Sequence, residues 1–288
     1  MTGHVQGTPE WITVPDGRQL YSMSLPGPGD ETPSVVFEAG AGASRSTWAL
    51  VQPAVGARTR AIVYDRSGLG RSAPDAVART LPRMADDLAA VLDHAGPGPF
   101  LLVGHSAGGP IVRAAAALKP ERIAGLVLVD PTDEAGPTLF TPGFRHTERT
   151  ALRVLMVLAR TGLLPHVQRS MRTRLPADAR RDFDDEGFTP GVIATMGAQA
   201  ATFVDDVAQF REHPPELGDL PVTVISGARA GGMPRRLRAE INAAHAVRAA
   251  QSPRGRHVIA ARSGHIVPIT EPHIVIGEIL RLCGCMPQ

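Results

Sequence analysis

The amino-acid sequence predicts an α/β fold: a mostly parallel central sheet flanked by helices, with an inserted helical cap. Three observations carry this. Apolar runs of strand length, at 34–38, 61–64, 100–103 and 123–129, alternate with stretches of helical periodicity. The interval 131–220 breaks that rhythm and is too long for an ordinary connection. Strands then resume at 221–225 and 257–260, on either side of a helix.

Each element has a local reason. Runs at 11–14 and 19–23 are split by Pro15-Asp16-Gly17, a hairpin signal that predicts an antiparallel edge. The strand 34–38 (SVVFE) runs into the small-residue loop AGAGAS, and 61–64 (AIVY) into the polar loop DRSGLGRSAP. Thr80 precedes a helix marked by Leu81, Met84, Leu88, Val91 and Leu92, which Gly96 stops. Strand 100–103 leads into GHSAGG and an alanine-rich helix to 118. Strand 123–129 ends at Asp130. Leu237, Ile241, Ala244 and Val247 mark a late helix, and 273–282 is a final amphipathic one. Inside 131–220, helices are expected at 148–160 and 191–209, with a polar, irregular stretch, RTRLPADARRDFDDEG, between them. The expected division is therefore a core at 1–130 and 221–288, with a cap at 131–220.

Composition narrows the function classes. The 288 residues are 43% hydrophobic and 20% charged, enough for a sizeable core and against a fibrous or disordered chain. Thirty basic against 28 acidic residues leave a net charge of +2, which implies no nucleic-acid partner. All the base but Lys119 is arginine, which reads as coding bias rather than function. No secretory leader and no membrane-spanning run is visible, so the expected location is the cytoplasm. Cys283 and Cys285, close together at the C-terminus, suggest neither a disulfide scaffold nor a metal site.

The chemistry is concentrated in three places. Gly104, Ser106 and Gly108 form G-x-S-x-G between a buried strand and a helix, where a nucleophile elbow belongs. A tight turn there pushes the Ser106 hydroxyl outward, and the Ala107 N–H points where negative charge develops. A hydroxyl attacks poorly unless a histidine takes its proton and an acid holds that histidine's tautomer. Of ten histidines, His265 follows the last core strand in ARSGHIVP and is the candidate base; His105 is read as a wall residue. No acid follows strand 221–225, where Gly227 to Gly232 are glycine-rich. Asp130 ends the preceding strand at the same sheet edge and is the candidate acid, with Asp133 and Glu134 as alternatives. A second oxyanion donor is expected from the backbone of Ala41, with Gly40 beside it.

The G-H-S-A-G-G elbow, the D-R-S-G-L-G-R-S loop and the terminal S-G-H resemble the α/β-hydrolase fold superfamily, over about residues 11–282. The likeness is to its capped branch of esterases, lactonases and related enzymes. It implies Ser106 as nucleophile, His265 as base, and the backbone of Ala107 and Ala41 as oxyanion hole. Two features depart from the family pattern. Ala39 stands where many members have histidine, and the usual acid after strand 221–225 is missing. Some relatives carry the acid one strand earlier, which corresponds to Asp130. Epoxide hydrolases and haloalkane dehalogenases in this branch use an aspartate nucleophile, against Ser106, and the cap has no Trp or Tyr to match theirs.

The expected activity is serine hydrolysis of a small or medium apolar ester or lactone, with no metal or cofactor, by a monomer or homodimer. C–C bond hydrolysis, lyase or perhydrolase chemistry, or a non-catalytic ligand receptor, are the alternatives. The cap offers Leu139, Phe140, Leu152, Leu155, Met156, Leu163, Leu164, Met196, Phe203 and Phe210 as pocket wall or as its own core. Arg66 and Arg71 flank a loop that can reach the pocket mouth.

Overall fold

A strand apolar at every position has to be covered on both faces, and the central runs of this sequence are of that kind. The computed structural model describes residues 3–29 and 32–285. Its strands are β1 (Thr8–Thr13), β2 (Gln19–Leu25), β3 (Ser34–Glu38), β4 (Ala61–Tyr64), β5 (Phe100–His105), β6 (Ile123–Val129), β7 (Val222–Gly227) and β8 (Arg256–Ala260). They form one eight-stranded sheet in the order β1-β2-β4-β3-β5-β6-β7-β8. β1 and β2 pair antiparallel around the turn at Gly17, and β2 pairs antiparallel with β4. From β4 to β8 the pairing is parallel.

Helices fill the crossovers: α1 (Gln52–Gly56), α2 (Leu81–Ala95) and α3 (Gly108–Leu118) in the first part of the chain. Thr80 caps α2 by accepting the Arg83 N–H. Alternation along the strands splits the core in two. Val36, Leu102 and Leu126 pack with α2 and α3 on one face. Val35, Phe37, Leu101 and Val127 pack with Trp48, α1 and a C-terminal helix on the other.

Between β6 and β7 the chain leaves the sheet and builds a helical cap: α4 (Pro142–Arg160), α5 (Leu164–Val167), α6 (Arg169–Arg172), α7 (Ala177–Glu186) and α8 (Pro190–Gln209). It then returns as β7, α9 (Arg235–Ala250), β8, α10 (Val267–Thr270) and α11 (Pro272–Leu282). Ala179, Phe183, Phe188 and Val192 of the cap share a cluster with Leu69 and Ile269 of the sheet domain. Among the described residues, no helix is long and apolar enough to cross a membrane.

Three findings depart from the sequence reading. The stretch expected to be irregular contains α7. Its few apolar residues, Ala179 and Phe183, are buried, and its acids reach arginines across the cap boundary. The buried side of α9 shares only Ala244 with the expected apolar stripe. Arg238, His245 and Arg248 are buried, Leu237 and Ile241 are only partly covered, and Val247 is exposed. Arginine is also more than coding bias. Arg45, Arg66 and Arg113 are among the largest fully buried side chains, each against carboxylates.

Arg45 ties the cap to the sheet. It binds Asp65 from the loop after β4, Asp182 of α7 at 2.6 Å and Glu186 of α7 at 2.7 Å. Arg71 meets the same two α7 carboxylates. Removing one member of such a buried cluster strands the others, a cost of about 3–5 kcal/mol. Arg45→Met is therefore expected to lower the unfolding free energy by about 3–5 kcal/mol, read from urea unfolding as a lower midpoint. An unchanged midpoint would show that the cluster is not a stabilising contact.

Candidate active site

The site begins with a backbone constraint. Ser106 lies between β5 and α3 with φ +55°, the left-handed region that a side-chain-bearing residue enters at a cost of about 1–3 kcal/mol. The turn is clamped: the Ser106 N–H bonds the Val129 carbonyl at 3.1 Å, and its own carbonyl accepts from Gly109 and Thr132 at 3.0 Å. Side chains at Gly104 or Gly108 would not fit. A Cβ at Gly104 would lie 2.5 Å from the Gly108 carbonyl oxygen, and one at Gly108 2.6 Å from that of Glu38.

Asp130 is the other non-glycine residue with positive φ among the described ones, at +42°. Its N–H bonds the Ile225 carbonyl at 2.7 Å. Its carboxylate turns across the end of β7. Oδ1 accepts from the Gly227 N–H at 2.9 Å and from Arg238 of α9 at 2.7 Å. Oδ2 lies 2.7 Å from His265 Nδ1. Burial raises the Asp130 pKa, but His265 and Arg238 outweigh it and hold the carboxyl well below the usual carboxylate range.

His265 sits in the loop between β8 and α10. With Asp130 accepting, Nδ1 carries the proton and Nε2 is left as acceptor, 2.9 Å from Ser106 Oγ. The backbone of this loop passes so close to β7 that a Cβ on Gly227 would lie 2.0 Å from the Gly264 carbonyl oxygen.

The structure thus brings Ser106, His265 and Asp130 into one hydrogen-bonded line. It does not bring Asp133 or Glu134 to His265. Asp133 is held by Arg248 at 2.8 Å, and Glu134 by Arg113 through two 2.7 Å bonds. Ala41 and Ala107 line one cavity with Ser106. The loop bearing Ala41 is fixed from beneath: Arg66 donates to the carbonyls of Ala39 and Gly40 at 2.5 Å while paired with buried Glu38, which Tyr64 also contacts. Arg66 and Arg71 therefore spend their charge on the protein's own carboxylates. The sequence reading placed Arg66 and Arg71 at a loop near the pocket mouth but missed their supporting role, and missed Arg238, because an arginine's partner is set by tertiary placement.

Three cavities meet at Ser106, of about 170, 260 and 350 Å³. The first includes Leu139, Leu152, Met196 and Phe203. The second runs along α9 past Asp130 and His265. The third includes Leu155, Leu164, Phe183 and His265. Of the remaining apolar cap residues, Phe140 and Phe210 pack against the core, Met156 packs inside the cap and Leu163 is exposed.

His105, on β5 beside Ser106, is buried and donates from Nε2 to the His265 carbonyl at 2.9 Å. Its ring centroid lies 4.8 Å from that of His265, with the two planes tilted 37° apart. Burial pushes its pKa down to about 3. The unfolded chain takes up this proton near pH 6.5, whereas the folded chain does not until about pH 3. Unfolding therefore binds a proton between those values, and stability falls as pH drops through 6.5. In His105→Gln the loss of stability from pH 7 to pH 5 should shrink by about 2 kcal/mol, read from denaturant unfolding at both pH values. Identical slopes in parent and variant would show that His105 is not a buried neutral histidine.

The family model described as alpha/beta hydrolase fold matches residues 33–272. Esterase Rv0045c of Mycobacterium tuberculosis is 30% identical over 265 residues, covering 88% of this chain and 83% of that protein. The RutD protein of Caulobacter sp. (strain K31) is 32% identical over 160 residues, covering 55% of this chain and 57% of RutD, so the shared segment is about half of that relative. An esterase structure from Thermogutta terrifontis superposes with a TM-score of 0.69 at 22% identity, covering 96% of this chain and 97% of that one. The epoxide hydrolase CorEH gives a TM-score of 0.73 at 19% identity over 96% and 98% of the two chains, a likeness of fold alone. The chain belongs to the alpha/beta hydrolase fold family.

Proposed function

We propose that this hydrolase cleaves a small or medium carboxylic ester or lactone through an acyl-enzyme, with Ser106 as nucleophile, His265 as base and Asp130 as acid. The observation that carries this reading is the hydrogen-bonded line from Asp130 Oδ2 through His265 to Ser106 Oγ, at the meeting point of three largely apolar cavities.

In the proposed reaction His265 Nε2 takes the Ser106 proton as Oγ attacks the carbonyl carbon. The carbonyl π-bond breaks, and its oxygen becomes the oxyanion between the N–H groups of Ala107 and Ala41. Asp130 stabilises the imidazolium without taking its proton. Collapse breaks the bond to the leaving alcohol, which receives the proton from His265. Water, activated by His265, then attacks the acyl-enzyme and releases the acid and Ser106. The protein's contribution is placement: each reacting side chain leaves a clamped backbone, two of them in left-handed conformations.

Ser106→Ala should lower kcat on a short p-nitrophenyl ester by about a million-fold and abolish labelling by a fluorophosphonate probe. Full activity in this variant would refute the serine mechanism.

Asp130→Asn should lower kcat by about ten-thousandfold, because the amide no longer fixes the Nδ1–H tautomer. Asp133→Asn should retain most of the parent rate. The reverse ranking of kcat on the same p-nitrophenyl ester would move the acid to Asp133.

A further inference from the structure

The first of the three cavities at Ser106 is lined by Ala107 but not by His265. In the acyl-enzyme reading, on which this inference rests, His265 protonates the leaving group, which must lie within its reach. The first cavity is then left for the acyl group. At about 170 Å³ it is the smallest of the three.

That cavity has a neighbour. A further space of about 310 Å³ lies beside it, between the packed cap helices α4 and α8. Helical spacing sets the two side by side. On α4, Glu148 and Leu152 are one turn apart and line both spaces, while Arg145 and Arg149 line the outer one. On α8, Ala200 lines both, while Gly197 and Ala201 line the outer one. The shared boundary is therefore two partly covered side chains and one methyl group. The outer space exists because α8 presents only Gly197, Ala200 and Ala201 to it. A Cβ added at Gly197 would meet no other atom within 4 Å.

The chemistry of the outer space suits an alkyl chain. Leu152 and the three small residues give it an apolar floor. Arg149 is exposed and Arg145 partly so, which lets their methylene stems line the space while the guanidinium groups stay in water. A carboxylate tail is disfavoured. Arg66 at the inner cavity is paired with Glu38 and two carbonyls, Arg145 is paired with Asp205, and Glu148 stands at the junction.

We propose that the acyl site has two parts: the first cavity takes the carbons next to the ester, and the space between α4 and α8 takes the rest of a straight, neutral alkyl chain. The favoured substrates are then esters of medium-chain fatty acids rather than of short acids.

The test compares p-nitrophenyl decanoate with p-nitrophenyl butanoate, both below the concentration at which the longer ester aggregates and each corrected for its rate without enzyme. A fully buried methylene is worth about fourfold in affinity, so the parent should prefer the decanoate about tenfold or more in kcat/KM, even with much of the added chain only partly covered. Gly197→Leu places a side chain in the outer space without a clash and should bring the preference to about one. Ala201→Leu, one turn along the same face of α8, should do the same, and it replaces the first variant if that one does not fold. Ala198→Leu, at an exposed position that lines neither space, should keep the parent preference. Fluorophosphonate labelling of Ser106 reports that the catalytic centre of each protein is intact. A parent that labels but does not prefer the decanoate, or hydrolyses neither ester, overturns the proposal. So does a labelling Gly197→Leu or Ala201→Leu variant that keeps the preference, or an Ala198→Leu variant that loses it equally. A parent that neither labels nor turns over either ester overturns the Ser106 reading itself, and this inference with it.

Discussion

One buried carboxylate organises the edge of the sheet that carries the candidate active site. Asp130 leaves the end of β6 in a left-handed conformation and is hydrogen-bonded to three other segments. It accepts from Gly227 at the end of β7, from Arg238 of α9 and from His265 after β8. Each bond restrains a segment that the chain reaches only after the cap has intervened. An ionised carboxylate at 2% exposure would be prohibitive without such partners. With them it remains charged, and the charge holds the histidine tautomer that leaves Nε2 facing Ser106.

The same device recurs away from the chemistry. Glu38 with Arg66, Asp65 with Arg45, and Glu134 with Arg113 are buried ion pairs at the ends of strands or in the loops after them. Arginine suits this role because its planar fork satisfies several acceptors at once. Arg66 bridges a carboxylate and two loop carbonyls, and so fixes the backbone that carries Ala41. Arg45 joins the sheet domain to α7. Support of the loop at the site and part of the cap's attachment thus share one kind of contact, strengthened by the exclusion of water, while apolar packing against Leu69 and Ile269 supplies the rest of the attachment.

The conformations of Ser106 and Asp130 belong to the same economy. Both are held in a sparsely populated region by hydrogen bonds to neighbouring strands and loops. Ser106 bonds across to the end of β6 and Asp130 across to β7. Strain at each is therefore sustained by parallel strand pairing, which depends on the core packed to either side.

Local sequence determined much of this. Strand-length apolar runs rich in Val and Ile and bounded by glycine- or proline-bearing loops read as interior strands, so β3, β4, β5 and β6 were legible, as was the β1–β2 hairpin from Pro15-Asp16-Gly17. Ser106 and His265 were legible because a glycine-flanked serine after a strand, and a histidine after the last one, are local patterns. Asp130 was legible as a candidate, since a strand end is local too. Which of Asp130, Asp133 and Glu134 meets His265 was not, because that depends on where Arg113, Arg238 and Arg248 stand in space. The helix α7 escaped for the same reason: its polar residues become partners only when Arg45 and Arg71 arrive from over a hundred residues away. Hydrophobic periodicity is written along the chain, whereas the pairing of charges and the shape of the space beside Ser106 exist only after distant segments have met.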